Sequence, residues 1–188
     1  DLPSSDLGQL RQVLSLRRRL KKEEHRLRMN IRNNLLAQYF PELDGFYSAC
    51  EAETLAIVSR CLDPNQIAAM EFDEFFTQVT TKRRGIAQKL RLQKIHRAAT
   101  QSVGCTMGPM AQLEAQLLVN KLALVRSQLK EAQEWMEDIA CEFAEYSYLL
   151  TIPGFGPYVA CTVLAAIGNP WRFDSAGQVL KLAGYDLS

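Results

Sequence analysis

Between Ala111 and Leu150 apolar residues return at steps that alternate four and three without a break: Ala111, Ala115, Leu118, Leu122, Val125, Leu129, Ala132, Met136, Ile139, Phe143, Tyr146 and Leu150. That spacing keeps one stripe of an α-helix turned toward a partner, so it predicts a coiled-coil helix of about 60 Å at 1.5 Å per residue. Two partners suit the stripe. Leu10 to Leu35 offers an internal antiparallel helix, and a second copy of the chain offers a homodimer.

Helical signals also dominate elsewhere, because Gly and Pro are sparse from Leu7 to Tyr148 and no sustained alternation suggests a strand. A first helix is expected over about 7–38, with Val13, Leu16, Leu20 and Leu27 inward and Ile31 and Leu35 slightly around the helix. It should stop at Phe40-Pro41. Asp63-Pro64-Asn65-Gln66 reads as a helix start, with Asp63 as N-cap and Pro64 at the first helical position, leading into a helix through about Val79. Another helix is expected over 82–102, with Ile86, Leu90, Leu92 and Ile95 inward. The predicted fold class is all-α: long antiparallel coiled-coil helices over 1–148, followed over 149–188 by a small helical domain.

A hydrophobic share of 47% with 23% charged residues describes a chain able to fold around a core. No run reaches the roughly 18 apolar residues of a membrane span, and Asp1 opens no signal-peptide pattern, so the expected location is cytoplasmic. The missing initiator Met suggests a piece of a longer protein. Five cysteines with no CxxC pair and no clustered histidines point to reduced thiols rather than disulfides or zinc. The net charge of +1 conceals strong blocking. Arg11 to Asn34 holds nine cations against Glu23 and Glu24, and Lys82 to Arg97 holds seven against no acid. Eight acids between Glu42 and Gln78 face Arg60 alone, and six lie between Glu131 and Glu145. Oppositely charged helices can pair with each other, or the basic blocks, including Arg17, Arg18, Arg19, Lys82, Arg83 and Arg84, can meet nucleic-acid phosphates.

After Tyr148 the texture changes, with Pro153, Gly154, Gly156, Pro157, Gly168 and Pro170 close together. A helix ending near Leu150, a tight turn over 152–156 and a helix from Pro157 to Ile167 make a helix-hairpin-helix pattern. The glycines permit a sharp turn and close backbone approach, and Pro157 suits the first helical position. Amides of Gly154, Phe155 and Gly156, with the following helix N-terminus beside Tyr158, suit a phosphate. Alternatively the turn is a plain αα-corner. Ile152, Val159, Ala160, Val163, Leu164 and Ile167 are expected to pack it. Arg172 and Lys181 are the cations that follow, with Trp171 and Phe173 flanking Arg172. Asp174 or Ser175 should cap a last helix through Leu182.

The stretch LLTIPGFGPYVACTVLAAIGNPWRFDSAGQVLKLAGYDLS, Leu149 to Ser188, resembles the first half of the C-terminal domain of the insertion sequence 110 family of transposases, to which Piv-type DNA invertases are related. Less specific likenesses are the basic Leu-Arg-rich helix, Tyr39-Phe40-Pro41-Glu42-Leu43, and Ser102-Val103-Gly104 before the coiled coil. The resemblance implies an enzyme that cuts and rejoins DNA, with an N-terminal RNase H-like domain whose four acids bind magnesium and a nucleophilic serine in a Ser-Gly motif. It places the acids before this chain and the serine after Ala183-Gly184, so no catalytic or metal-binding residue is carried over; Ser188, not followed by Gly in this chain, is not taken as the nucleophile. The expected partners are DNA, a transposon-encoded RNA and a second copy. Other function classes compatible with the residues are a helix-hairpin-helix accessory module of a repair or competence protein and a coiled-coil scaffold.

Overall fold

The computed structural model describes residues 5–80, 85–168 and 172–182. Every regular element among them is helical. Helix α1 spans Ser5–Asn30 and passes through a π-helical turn, Ile31–Leu36, into a short α2, Ala37–Tyr39. Ile31, Leu35 and Leu36 are all buried in this π turn. The stop lies where Phe40-Pro41 requires it: Phe40 leaves helical geometry at φ −149°, ψ 73°, and Pro41–Leu43 forms a 3-10 turn. Then follow α3 Asp44–Tyr47, α4 Glu51–Arg60, α5 Pro64–Ala69, α6 Phe72–Val79, α7 Ile86–Ala99, α8 Pro109–Cys141, α9 Ala144–Leu150, α10 Pro157–Ile167 and α11 Ala176–Leu182.

The chain forms two compact units, Lys22–Arg126 and the combination of Asp1–Lys21 with Ser127–Ser188. In the first, the acidic block meets the basic end of α1. Arg32 forks onto Asp44 at 2.6 and 2.8 Å, Arg28 reaches Glu51 at 3.2 Å, and Arg126 joins Glu24 at 3.1 Å and Glu51 at 2.8 Å. Asp63 caps α5 as expected, accepting from the Asn65 amide at 2.9 Å. The helix expected through Val79 breaks in two, because Met70 and Glu71 are extended and α6 restarts at Phe72. That break lets the His96 ring bond the Met70 carbonyl at 2.9 Å and pack on Phe72 and Phe75.

Helix α7 buries Leu92 and Ile95 as expected but turns Ile86 and Leu90 outward. Ile86 and Leu90 are 80% and 53% exposed, and Gln88, Leu92, Ile95 and Ala99 are buried. The reason is polar: Gln88 donates at 2.7 Å to the buried carboxylate of Glu53 on α4, and this pair sets the helix rotation. Two segments about sixty residues apart also interlock. The Ser102 hydroxyl and Val103 amide donate to the two oxygens of Glu42 at 2.6 and 3.1 Å, and the Cys105 amide donates to the Gln38 carbonyl at 3.0 Å.

The second unit has a core of Leu10, Leu14, Met136, Ala140, Tyr146, Ala160, Cys161, Leu164 and Ala165. On the first part of α1 the buried residues are Leu10 and Leu14, with Val13 packed beside them, whereas Leu16 is 42% exposed and Leu20 only partly buried; Leu27, Ile31 and Leu35 are buried as expected. The seam of α8 is buried within the chain at Ala115, Leu122, Val125, Ala132 and Met136, as the internal alternative required. It is interrupted after α8: Phe143 is extended at φ −101°, ψ 121°, and α9 starts a new direction that brings Tyr146 into the core. At 33 residues α8 is about 50 Å long, shorter than the seam suggested. Cys50, Cys61 and Cys161 are buried free thiols, whereas Cys105 and Cys141 are exposed.

Candidate nucleic-acid interface

Helix α10 is fixed along α1 at two points. Near its C-terminus, where the helix dipole favours a cation, the Arg11 Nε donates to the Ala165 carbonyl at 2.8 Å. Gly168 then leaves the helix at φ 67°, its amide bonding the Leu164 carbonyl at 2.8 Å. At the other end the Arg17 guanidinium stacks over the Tyr158 ring, 4.2 Å from its centre. Chain numbers rise on α1 as they fall on α10, so the N-terminus of α10 lies beside the basic triplet Arg17, Arg18 and Arg19.

The turn before α10 is built by local hydrogen bonds. Helix α9 closes with the Thr151 amide donating to the Tyr148 carbonyl at 3.1 Å and the Ile152 amide to Leu149 at 3.2 Å. Gly154 adopts φ 87°, a conformation that disfavours other residues, and the Phe155 amide donates at 3.0 Å to the Ile152 carbonyl. The Phe155 amide is therefore engaged inside the turn and is not the open donor expected from the sequence. Pro157 has no N–H, so the donors that helix geometry leaves at this end are those of Gly156, Tyr158 and Val159. Of the expected packing residues Ala160 and Leu164 are buried, joined by Cys161 and Ala165, while Ile152 and Val159 are 42% and 39% exposed.

In front of this helix end is an open depression of about 480 Å³ lined by Arg17, Lys21, Lys130, Gln133, Gly156 and Tyr158, together with Leu129, Pro157 and Val159. The structure thus brings Arg17, Gly156 and Tyr158 together. Gly154 and Phe155 stand one step back in the turn, and Arg18 lies against the Tyr158 hydroxyl, holding the phenol below the usual tyrosine range while partial burial opposes it. Arg19 faces a different groove. Arg172, stacked 4.7 Å over Phe173, and Lys181 on α11 are exposed but do not line the depression. Lys82, Arg83, Arg84 and Trp171 lie outside the described residues.

Sequence reasoning missed Lys21, Lys130 and Gln133. The signal was their position on helices that pair only if the internal antiparallel alternative is taken, which sets Gln133 beside Arg17 with Nε donating to its Oε1 at 2.9 Å. Among the described residues no carboxylate forms an ion pair with Arg17, Arg18 or Arg19. Lys130 has Glu134 at 3.5 Å, an exposed helix pair of small strength. A phosphate oxygen in the depression would meet cations, helix-end amides and a phenol in one place, a combination suited to anion capture without base readout.

Among the described residues no group of three or more His, Cys, Asp or Glu is gathered as a metal site would need. No described helix is long and apolar enough to cross a membrane.

The sequence model described as the transposase IS116/IS110/IS902 family matches residues 146–188, the segment that carries α9, the turn, α10 and α11. No curated protein and no solved structure matches the chain. Residues 146–188 are thus similar to the transposases of the IS116/IS110/IS902 family.

Proposed function

We propose that the chain engages DNA within a transposase that cuts and rejoins strands, and that the depression in front of α10 receives a backbone phosphate. The similarity of residues 146–188 to that family supports a transposase-like function with DNA as a partner. The observation that carries the finer reading is the convergence of Arg17, Lys21 and Lys130 on the α10 N-terminus, whose turn we read as a helix-hairpin-helix. Such a site takes phosphates of any sequence, so it anchors the duplex and leaves target choice to other contacts. The exposed cations of α7, Lys89, Lys94 and Arg97, offer a second surface to DNA or to a transposon-encoded RNA.

Binding of the chain to a labelled duplex of arbitrary sequence, measured across 50–200 mM salt, tests this reading. We expect log K to fall linearly with log salt, by about 0.9 per phosphate neutralised. No binding, or binding insensitive to salt, would overturn it in favour of a scaffold.

A second copy is the other proposed partner, and here a separate observation counts. Trp135 is 60% exposed and Leu16 42% beside a groove of about 710 Å³ that also includes Val13, Leu20, Ala132 and Ile139. An apolar groove of that kind between two helices suits a further helix. Sedimentation of the chain and its Trp135→Glu variant decides it: a wild-type dimer that dissociates in the variant supports the pairing, and a wild-type monomer contradicts it.

A further inference from the structure

We propose that Glu137 is a positioning residue that orients Arg17 toward the phosphate through the side chain of Gln133, an inference that rests on the reading of the α10 depression as a phosphate site. Glu137 lies one helical turn beyond Gln133 on α8, does not line the depression, and accepts a hydrogen bond from Gln133 Nε2. The other end of the same amide, Gln133 Oε1, accepts from Arg17 Nε at 2.9 Å.

Chemistry permits one arrangement of this chain. A carboxylate can only accept and a guanidinium can only donate, so Gln133 must turn its NH2 toward Glu137 and its oxygen toward Arg17. Without Glu137 the amide is free to flip and present an NH2 to Arg17, which repels the guanidinium. With Glu137 in place, Arg17 is held on an edge by Gln133 and on a face by the Tyr158 ring at 4.2 Å. Two such constraints fix a planar group. Among the described residues neither Nη of Arg17 has a hydrogen-bond partner, and these atoms stay available to an anion. The side-chain freedom that a phosphate would otherwise remove is already removed.

The proposal makes a prediction opposite in sign to simple electrostatics. Deleting a negative charge near a phosphate site should strengthen binding, whereas deleting an orienting group should weaken it. The test uses the whole chain, a labelled duplex and four variants: Glu137→Leu, Glu137→Gln, Arg17→Ala, and Arg17→Ala with Glu137→Leu. Expected is a loss of roughly three- to tenfold for Glu137→Leu, the scale of one ordered side chain. Glu137→Gln, which keeps an acceptor oxygen, should fall between that variant and wild type. The double variant should bind no more weakly than Arg17→Ala alone. Circular dichroism and the melting temperature report whether Glu137→Leu folds; if it does not, Glu137→Gln decides by its position below or above wild type. Equal or tighter binding in the Glu137 variants, or losses that add in the double variant, would overturn the proposal while leaving the functional reading in place. A wild-type chain that binds no duplex would overturn both.

Discussion

The Arg17 guanidinium and the Tyr158 ring are stacked 4.2 Å apart, joining the basic stripe of α1 to the first turn of α10. Arg18 stands at the same phenol and is the main cause of its lowered pKa. The alkaline ultraviolet titration of the tyrosines should therefore contain an early component. Arg18→Ala should move that component upward toward the ordinary tyrosine value. Tyr146, whose burial pushes it to about 12, should remain among the last to ionise in either protein.

Two glycines of the turn should respond differently to alanine. Gly154 holds φ 87°, with open space around the missing Cβ, so Gly154→Ala carries backbone strain alone and should destabilise by about 1 kcal/mol. Gly156 sits at φ −79°, ψ 171°, with nothing within 4 Å of an added Cβ, and Gly156→Ala should be close to neutral in stability. Urea denaturation of the two variants makes the comparison. Valine at either position should weaken duplex binding while helix content stays unchanged.

A Cβ at Gly104 would lie 1.9 Å from the Tyr39 carbonyl oxygen and 2.5 Å from its carbonyl carbon. Both are backbone atoms and cannot move aside as a side chain would. Gly104→Ala must push apart the two segments that Glu42 holds together, and should destabilise by roughly 3 kcal/mol, at the upper end for overpacking. Glu42→Gln should weaken the same contact more gently, since an amide oxygen can still accept from Ser102. Thermal unfolding should rank the variants in that order.

Which parts of this were legible in the sequence follows from what each pattern encodes. The stop at Phe40, the cap at Asp63 and the span of α10 were readable because Pro, Asp and Gly impose local backbone geometry. The rotation of α7 was not, because the pair that sets it joins Gln88 to Glu53, thirty-five positions away. Nor was the end of α8, since no Gly or Pro stands at Phe143 and the break serves tertiary packing of Tyr146. At the site, the turn and its glycines were visible, but the use of the Phe155 amide and the arrival of Lys130 and Gln133 depended on how α8 returns along α1. Tyr39–Leu43 and Ser102–Gly104, which the sequence showed only as separate segments, are each other's packing partners.

Acid should loosen the Lys22–Arg126 unit through Glu23. Hydrogen bonds from Arg26 and Lys121 lower its pKa from 4.5 to about 2. A carboxylate held low in the folded state favours folding above its unfolded pKa, and that contribution fades as pH falls from about 4.5 toward 2. Glu23 keeps solvent access at the surface, its side chain 27% exposed, so screening keeps the effect small. Glu23→Gln should flatten this part of the stability profile relative to wild type, and added salt should narrow the difference between them. Urea midpoints measured from pH 6 to pH 3 make the check.

Salt dependence of duplex binding by the Arg17→Ala, Lys130→Ala double variant tests the phosphate site most directly. Expected are weaker binding and a slope of log K against log salt shallower by between one and two units than that of the wild-type chain, for one or two lost phosphate contacts at about 0.9 each. An exposed pair on α7, Lys94→Ala with Arg97→Ala, removes the same charge from a different surface and controls for net charge. A wild-type slope retained in the Arg17, Lys130 variant, with the loss appearing only in the α7 control, would contradict the account and move the DNA to the other unit.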